Sequence, residues 1–203
     1  MWKDLSQPWK IAFSEAWGAY IDGSIPIGAT LFDESGNCLG KARNGRNLPT
    51  TKNPNVRHAE STLLWETELT KDQLDGIRAA TLYTTMEPCP MCMGTCVMGN
   101  IRHLRYAARD PYCGAVHLKE LDPYIHSKKL DYELVGGEKE FVQIALQSCH
   151  ELQSGSDRVI KDFEEMLPEA VVAARKVFEQ VEKYSVEKAD VSLVYDLICG
   201  EME

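Results

Sequence analysis

The stretch that decides the fold is residues 80–110, "ATLYTTMEPCPMCMGTCVMGNIRHLRYAARD". Its first seven residues are rich in β-branched and aromatic side chains, a helical pattern begins near Pro88, and "HLRYAARD" has the pattern of a second strand. A strand, a helix and a strand within about thirty residues make a βαβ unit, whose strands are parallel neighbours in one sheet. We therefore predict an α/β protein with helices on the faces of its sheet.

The flanking sequence supplies further elements of the same kind. Helical spacing of apolar residues, turn residues and alternating patterns define each of them. We predict helices over residues 6–23, 58–70 and 138–152, a hairpin with strands near 26–33 and 37–43, and a strand within 131–137. The large aromatic side chains in these elements are expected in the core, namely Trp17, Phe32, Trp65 and Tyr106.

The last fifty residues have a different organisation. A short linker-like "SGSD" (154–157) precedes two helical patterns that are separated at Pro168. We predict a main domain over 1–153 and a helical C-terminal extension over 154–203. Apolar residues line one face of these helices, and we expect that face to be buried against either the main domain or a partner subunit.

Composition narrows the class of protein. The 203 residues are 44% hydrophobic, with 31 acidic and 22 basic side chains and a net charge of -9, which disfavours a broad nucleic-acid-binding surface. No window approaches the roughly 20 apolar residues of a membrane span, so we expect a cytoplasmic protein. Seven scattered cysteines do not form the even, dense pattern of a disulfide scaffold.

Two short motifs carry the chemistry, "HAE" at 58–60 and "EPCPMC" at 87–92. Catalytic zinc sites use three protein ligands and leave the fourth position for water. His58, Cys89 and Cys92 supply such a trio, since cysteines three residues apart share one face of a helix. Glu60 is two residues from His58 and thus poorly placed as a fourth ligand, but it can exchange protons with water at the metal.

The two cysteines also allow interpretations that involve no catalytic metal. A Cys-x-x-Cys pair alone is more often a structural zinc half-site or a redox pair, but neither requires the "HAE" and "EP" elements. Cys96 follows on the same helix and is expected in the core, because a fourth thiolate would close the open coordination position.

The two motifs together match the H-x-E…P-C-x-x-C signature of zinc-dependent base deaminases. From about residue 8 to 150 the chain resembles the cytidine deaminase superfamily, in the branch of tRNA-specific adenosine deaminases and guanine deaminases. The resemblance implies a three-layer α-β-α sandwich with a mixed five-stranded sheet. It also implies zinc on His58, Cys89 and Cys92, with Glu60 as proton shuttle.

Further site residues follow from the same resemblance. Asn47 would hydrogen-bond the substrate base, with Asn44 as the alternative, and the backbone beside Ala59 would contribute N–H groups. Asp110 lies at the end of a strand, where its loop can line the pocket. Cys113, just beyond, receives no role from the sequence.

The implied activity is hydrolytic deamination of an amino-substituted nucleobase or nucleoside, with release of ammonia. A tRNA-specific adenosine-to-inosine deaminase is the alternative within the same class, and a non-catalytic zinc-binding regulatory subunit is the alternative outside it. The expected partners are a small-molecule base or nucleoside, tRNA in the second case, no membrane, and a second copy of the chain in a homodimer.

Overall fold

A computed structural model describes residues 1–202. The strands are β1 (Gly28–Phe32), β2 (Cys38–Arg43), β3 (Thr81–Met86), β4 (His103–Ala108) and β5 (Asp131–Leu134). The helices are α1 (Gln7–Ile21), α2 (Ala59–Glu66), α3 (Lys71–Asp75), α4 (Pro90–Met98), α5 (Leu118–Leu121), α6 (Pro123–His126), α7 (Glu138–Ser154), α8 (Arg158–Met166), α9 (Pro168–Glu187) and α10 (Val191–Cys199).

The five strands form one mixed sheet in the order β2-β1-β3-β4-β5. β1 is antiparallel to both β2 and β3, whereas β3, β4 and β5 run parallel. Strands β3 and β4, joined by α4, are the βαβ unit expected from residues 80–110, and Thr84 lies opposite Tyr106 in their register. The predicted α/β class and the mixed five-stranded sheet are confirmed.

Helices cover both faces of this sheet. One face packs against α1 and α7, with Phe13 and Phe141 in its core. The other packs against α2 and α4, with Leu63 and Met93 in its core. The two ligand motifs therefore lie on the same side of the sheet, at the starts of neighbouring helices.

The C-terminal helices form a further layer on the first face. Helix α9 packs along α7, which is consequently buried on both sides from Glu140 to Glu151. The indole nitrogen of Trp17 donates a hydrogen bond to the carbonyl oxygen of Ala189 at 2.8 Å. The apolar face of the C-terminal helices therefore packs against the main domain, which is one of the two possibilities expected from the sequence. The proposed boundary at residue 154 remains a prediction.

Two sequence-based expectations need correction. Trp65 was expected in the core but is 86% exposed, because it lies two residues beyond Leu63, on the opposite side of α2. Helix α4 begins at Pro90 rather than near Pro88. Trp17, Phe32 and Tyr106 are buried as expected.

Within residues 1–202, no helix has both the length and the apolar character that a bilayer crossing requires.

Candidate active site

The three predicted metal ligands lie together. His58 Nδ1 is 3.5 Å from Cys89 Sγ and 3.6 Å from Cys92 Sγ, and the three ligand atoms all lie within 4.8 Å of one another. Zinc bonds of about 2.3 Å to sulfur and about 2.0–2.1 Å to nitrogen in a tetrahedron give a sulfur–nitrogen separation of about 3.6 Å. The observed spacing therefore fits zinc, and the donor set of one imidazole and two thiols is one that zinc prefers.

Each ligand is placed by a helix terminus. His58 is the N-cap of α2, and Cys89 is the N-cap of α4. Pro90 occupies the first position of α4, where a missing N–H removes no helical hydrogen bond. Cys92 follows within the first turn and is fully buried. Two helix N-termini thus converge on the cluster, and their partial positive charge stabilises thiolate ligands.

The thiols are coupled to one another. A hydrogen bond from Cys92, aided by His58, lowers the pKa of Cys89 to about 4, whereas the same hydrogen bond raises the pKa of Cys92. The Cys89 thiolate in turn raises the pKa of His58, chiefly through its hydrogen bond. One thiolate is therefore available to a metal, and a divalent cation held here would displace the proton that remains on Cys92.

Glu60 lies beside this cluster, in the first turn of α2. Its side chain is only 4% exposed, and burial raises the pKa of its carboxyl group to about 6. A hydrogen bond with Cys92 acts in the opposite direction. A carboxyl group with a pKa near neutrality is suited to both accepting and returning a proton.

The two candidate asparagines differ in their surroundings. Asn47 is exposed, and its side-chain nitrogen donates to the carbonyl oxygen of Gly23 at 2.5 Å. Asn44 is 1% exposed at the end of β2, and its side-chain oxygen accepts from the backbone N–H of Arg46. Within residues 1–202 the side-chain nitrogen of Asn44 donates no hydrogen bond, in contrast to that of Asn47.

Asp110 lies in the loop after β4 and is largely occupied within that loop. Its carboxylate accepts from the backbone N–H groups of Tyr112 and Cys113, at 2.9 and 3.1 Å, and from the Cys113 thiol at 3.2 Å. Ala59 is fully buried at the first position of α2, next to His58. Cys96 is fully buried in the core beneath α4, as expected.

One residue was not recognised individually from the sequence. Glu87 belongs to the quoted "EPCPMC" motif, and its carboxylate accepts backbone hydrogen bonds from both ends of the loop that contains Asp110. Its position two residues before Cys89, at the entrance to α4, is the sequence feature that could have identified it.

Comparison with known proteins gives consistent results. Residues 3–108 match the model of the cytidine and deoxycytidylate deaminase zinc-binding region. The tRNA-specific adenosine deaminase of Bacillus subtilis is 37% identical over 107 residues, which cover 52% of this chain and 62% of that protein. The chain thus matches less than two thirds of that relative's length.

Solved structures share the fold. One, from a study of A-to-I editing by tRNA deaminases at the wobble position of transfer RNA, superposes with a TM-score of 0.55 at 27% identity, over 68% of this chain and 97% of that one. A guanine deaminase from Nitrosomonas europaea superposes with a TM-score of 0.50 at 20% identity, over 72% and 85% of the respective chains, and supports the fold alone.

Proposed function

Because the chain belongs to the cytidine and deoxycytidylate deaminase zinc-binding family, we propose that it catalyses hydrolytic removal of an exocyclic amine from a base, with release of ammonia. The strongest support is the buried carboxylate of Glu60 beside the cluster of His58, Cys89 and Cys92. A purely structural zinc site has no use for a buried acid at this position.

The roles of the residues follow from their positions. Zinc held by His58, Cys89 and Cys92 would lower the pKa of a bound water to about 7 and so supply a nucleophile at neutral pH. Glu60 would take one proton from the attacking water and pass it to the ring nitrogen, then take the second proton from the added hydroxyl group and pass it to the departing amine. One water is consumed, one ammonia leaves, and an oxo base remains. Asn44, with its free side-chain nitrogen, is our candidate to hold the base.

For the substrate we propose adenosine within tRNA. The support is the sequence similarity to a tRNA-specific adenosine deaminase, together with a basic loop between β2 and α2. This loop, residues 44–58, contains three basic residues, Arg46, Lys52 and Arg57, and no acid, and within residues 1–202 neither Arg46 nor Lys52 is in an ion pair. A free base or nucleoside is the second candidate, favoured by the net charge of -9.

We also propose a homodimer, formed through the outer surfaces of α2 and α4. A groove of about 1030 Å³ lies between these helices, and none of the three metal ligands lines it. Trp65 and Met98 at this groove are 86% and 68% exposed. Large apolar side chains grouped on a surface are typical of an interface, and the homodimer expected from the sequence is the occupant we propose.

The test of the activity is ammonia release from a tRNA anticodon stem-loop, adenosine, adenine, guanine and cytosine. We expect turnover by the wild type and a loss of at least about a hundredfold in kcat for Glu60→Gln. Glu68→Gln, an exposed carboxylate just beyond the same helix, is the matched control and should retain activity. Turnover of free bases alone would overturn the tRNA assignment, and no turnover of any substrate would favour the regulatory subunit.

A further inference from the structure

Glu87 connects two separate parts of the candidate site. It follows β3 directly and lies two residues before Cys89. One oxygen of its carboxylate accepts from the N–H of Val116 at 3.1 Å, and the other accepts from the N–H of Asp110 at 3.3 Å. A single side chain thus binds both ends of the loop over residues 110–116. Hydrogen bonds to an ionised acceptor are about twice as strong as neutral ones.

Main-chain contacts reinforce this attachment. The N–H of Glu87 donates to the carbonyl oxygen of Ala108 at 2.8 Å, and the N–H of Ala115 donates to that of Pro88 at 2.9 Å. Gly114 lies directly against the carboxylate, and a Cβ at that position would be 2.5 Å from the Glu87 carboxyl carbon. The close approach of loop and carboxylate therefore requires glycine there.

The loop held in this way borders the metal cluster. Ala115, two residues after Cys113, donates its N–H to the carbonyl oxygen of Pro88, the residue immediately before Cys89. The Cys113 thiol in turn donates to the Asp110 carboxylate. Both side chains are therefore fixed relative to the zinc ligands through the attachment of their loop.

We propose that Glu87 is a positioning residue, which holds the 110–116 loop against the segment that carries Cys89 and thereby fixes the wall of the substrate pocket. Its effect on catalysis rests on the proposed function, whereas its effect on the loop does not. The two effects can be measured separately.

The kinetic test uses Glu87→Gln. The amide keeps one acceptor oxygen but presents an NH₂ group to the second backbone N–H, so one of the two contacts is lost. We expect KM to rise about tenfold, kcat to change by less than about threefold, and zinc to stay at one per chain. Glu34→Gln, in the exposed turn between β1 and β2, is the control. An unchanged KM, or loss of zinc, would overturn the proposal.

The second test needs no activity. The zinc-loaded protein is treated with iodoacetamide, and alkylation of each cysteine is followed by peptide mass spectrometry. We expect Cys113 to react about tenfold faster in Glu87→Gln than in the wild type, because its loop opens more often. The exposed Cys38 is the internal reference and should react at one rate in both.

Gly114→Ala perturbs the same contact from the side of the loop, where its added Cβ would meet both the Glu87 carboxylate and the backbone carbonyl oxygen of Asp110. We expect it to raise KM and Cys113 reactivity as Glu87→Gln does, and the double variant to show less than the sum of the two effects. Gly200→Ala, whose added Cβ meets only ordinary contacts, is its control. Unaltered Cys113 reactivity in both variants would refute the positioning role even in an active deaminase. Faster labelling in a protein that deaminates nothing would refute the proposed function alone.

Discussion

Cys89, Cys92 and Cys96 lie within eight residues, yet they have different chemistry. The thiols of Cys89 and Cys92 face His58 Nδ1, whereas the thiol of Cys96 lies in the core beneath α4. Burial raises the pKa of Cys96 well above its usual range, which leaves it protonated and inert. Orientation on the helix therefore separates ligands from packing residues of the same type.

This difference predicts opposite outcomes for two alanine variants. Cys92→Ala should lose its zinc, measured by elemental analysis after dialysis, because two ligands hold the ion far less tightly than three. Cys96→Ala should keep one zinc per chain and lower the free energy of unfolding by about 1 kcal/mol, the cost of a small cavity. Zinc loss from Cys96→Ala would show that the ligand set is wrong.

The two candidate asparagines give a second prediction at this scale. Asn44→Ala should lower kcat/KM about tenfold or more, because its free side-chain nitrogen is lost as a donor to the base. Asn47→Ala should have a smaller effect, since it removes an exposed hydrogen bond to Gly23. Steady-state kinetics on the same substrate decides between them, and the reverse order would return the role to Asn47.

At the scale of elements, the position of α1 on β1 depends on a glycine. The backbone of α1 lies so close to Gly28 that an added Cβ would overlap the carbonyl oxygen of Ala12. Gly28 also donates its N–H to the hydroxyl oxygen of Thr85 on β3. At Gly28, which has no side chain, β1 therefore contacts both α1 and the neighbouring strand β3.

Gly28→Ala should consequently force α1 away from the sheet. We expect it to lower the free energy of unfolding by about 3 kcal/mol or more, which urea titration followed by circular dichroism will measure. Gly76→Ala is the control, since its Cβ would meet its neighbours at ordinary distances. A variant as stable as the wild type would mean that the helix and strand are less closely packed than described.

The contact between α7 and α9 contains a buried histidine. His150 is 8% exposed, and its Nδ1 has no hydrogen-bond partner within residues 1–202. Its ring lies 6.3 Å from that of Tyr20, whose hydroxyl donates to Glu182 on α9. Burial lowers the pKa of His150 from its usual 6.5, although the charge of Glu182 opposes this.

The sign of this shift sets a pH dependence. Because the folded pKa lies below the unfolded one, the unfolded state binds the proton more readily, and stability present above pH 6.5 is lost as the pH falls below it. Between about pH 7.5 and about pH 5.5 the urea midpoint of the wild type should fall further than that of His150→Gln. Equal falls in both proteins would contradict the assignment.

At the scale of the whole molecule, the apolar groove between α2 and α4 predicts assembly. The wild type should sediment as a dimer at micromolar concentration, and Trp65→Glu or Met98→Glu should sediment as a monomer, because a charge would be buried in the interface. Leu121→Glu is the control, since Leu121 is 71% exposed but lies outside the groove. A monomeric wild type would refute the homodimer.

By itself the sequence predicted the βαβ unit, the ligand helices and the trio of His58, Cys89 and Cys92, and its resemblance to a known family implied the mixed five-stranded sheet. The trio follows from local patterns, since a strand that leads into a helix brings Cys89 and Cys92 to the helix N-terminus, where residues three apart share one face. Only the tertiary structure decided which face of α2 presents Trp65, which asparagine is free, and what the Glu87 carboxylate binds. Those outcomes depend on loop paths and on the packing of distant segments, which local spacing does not specify.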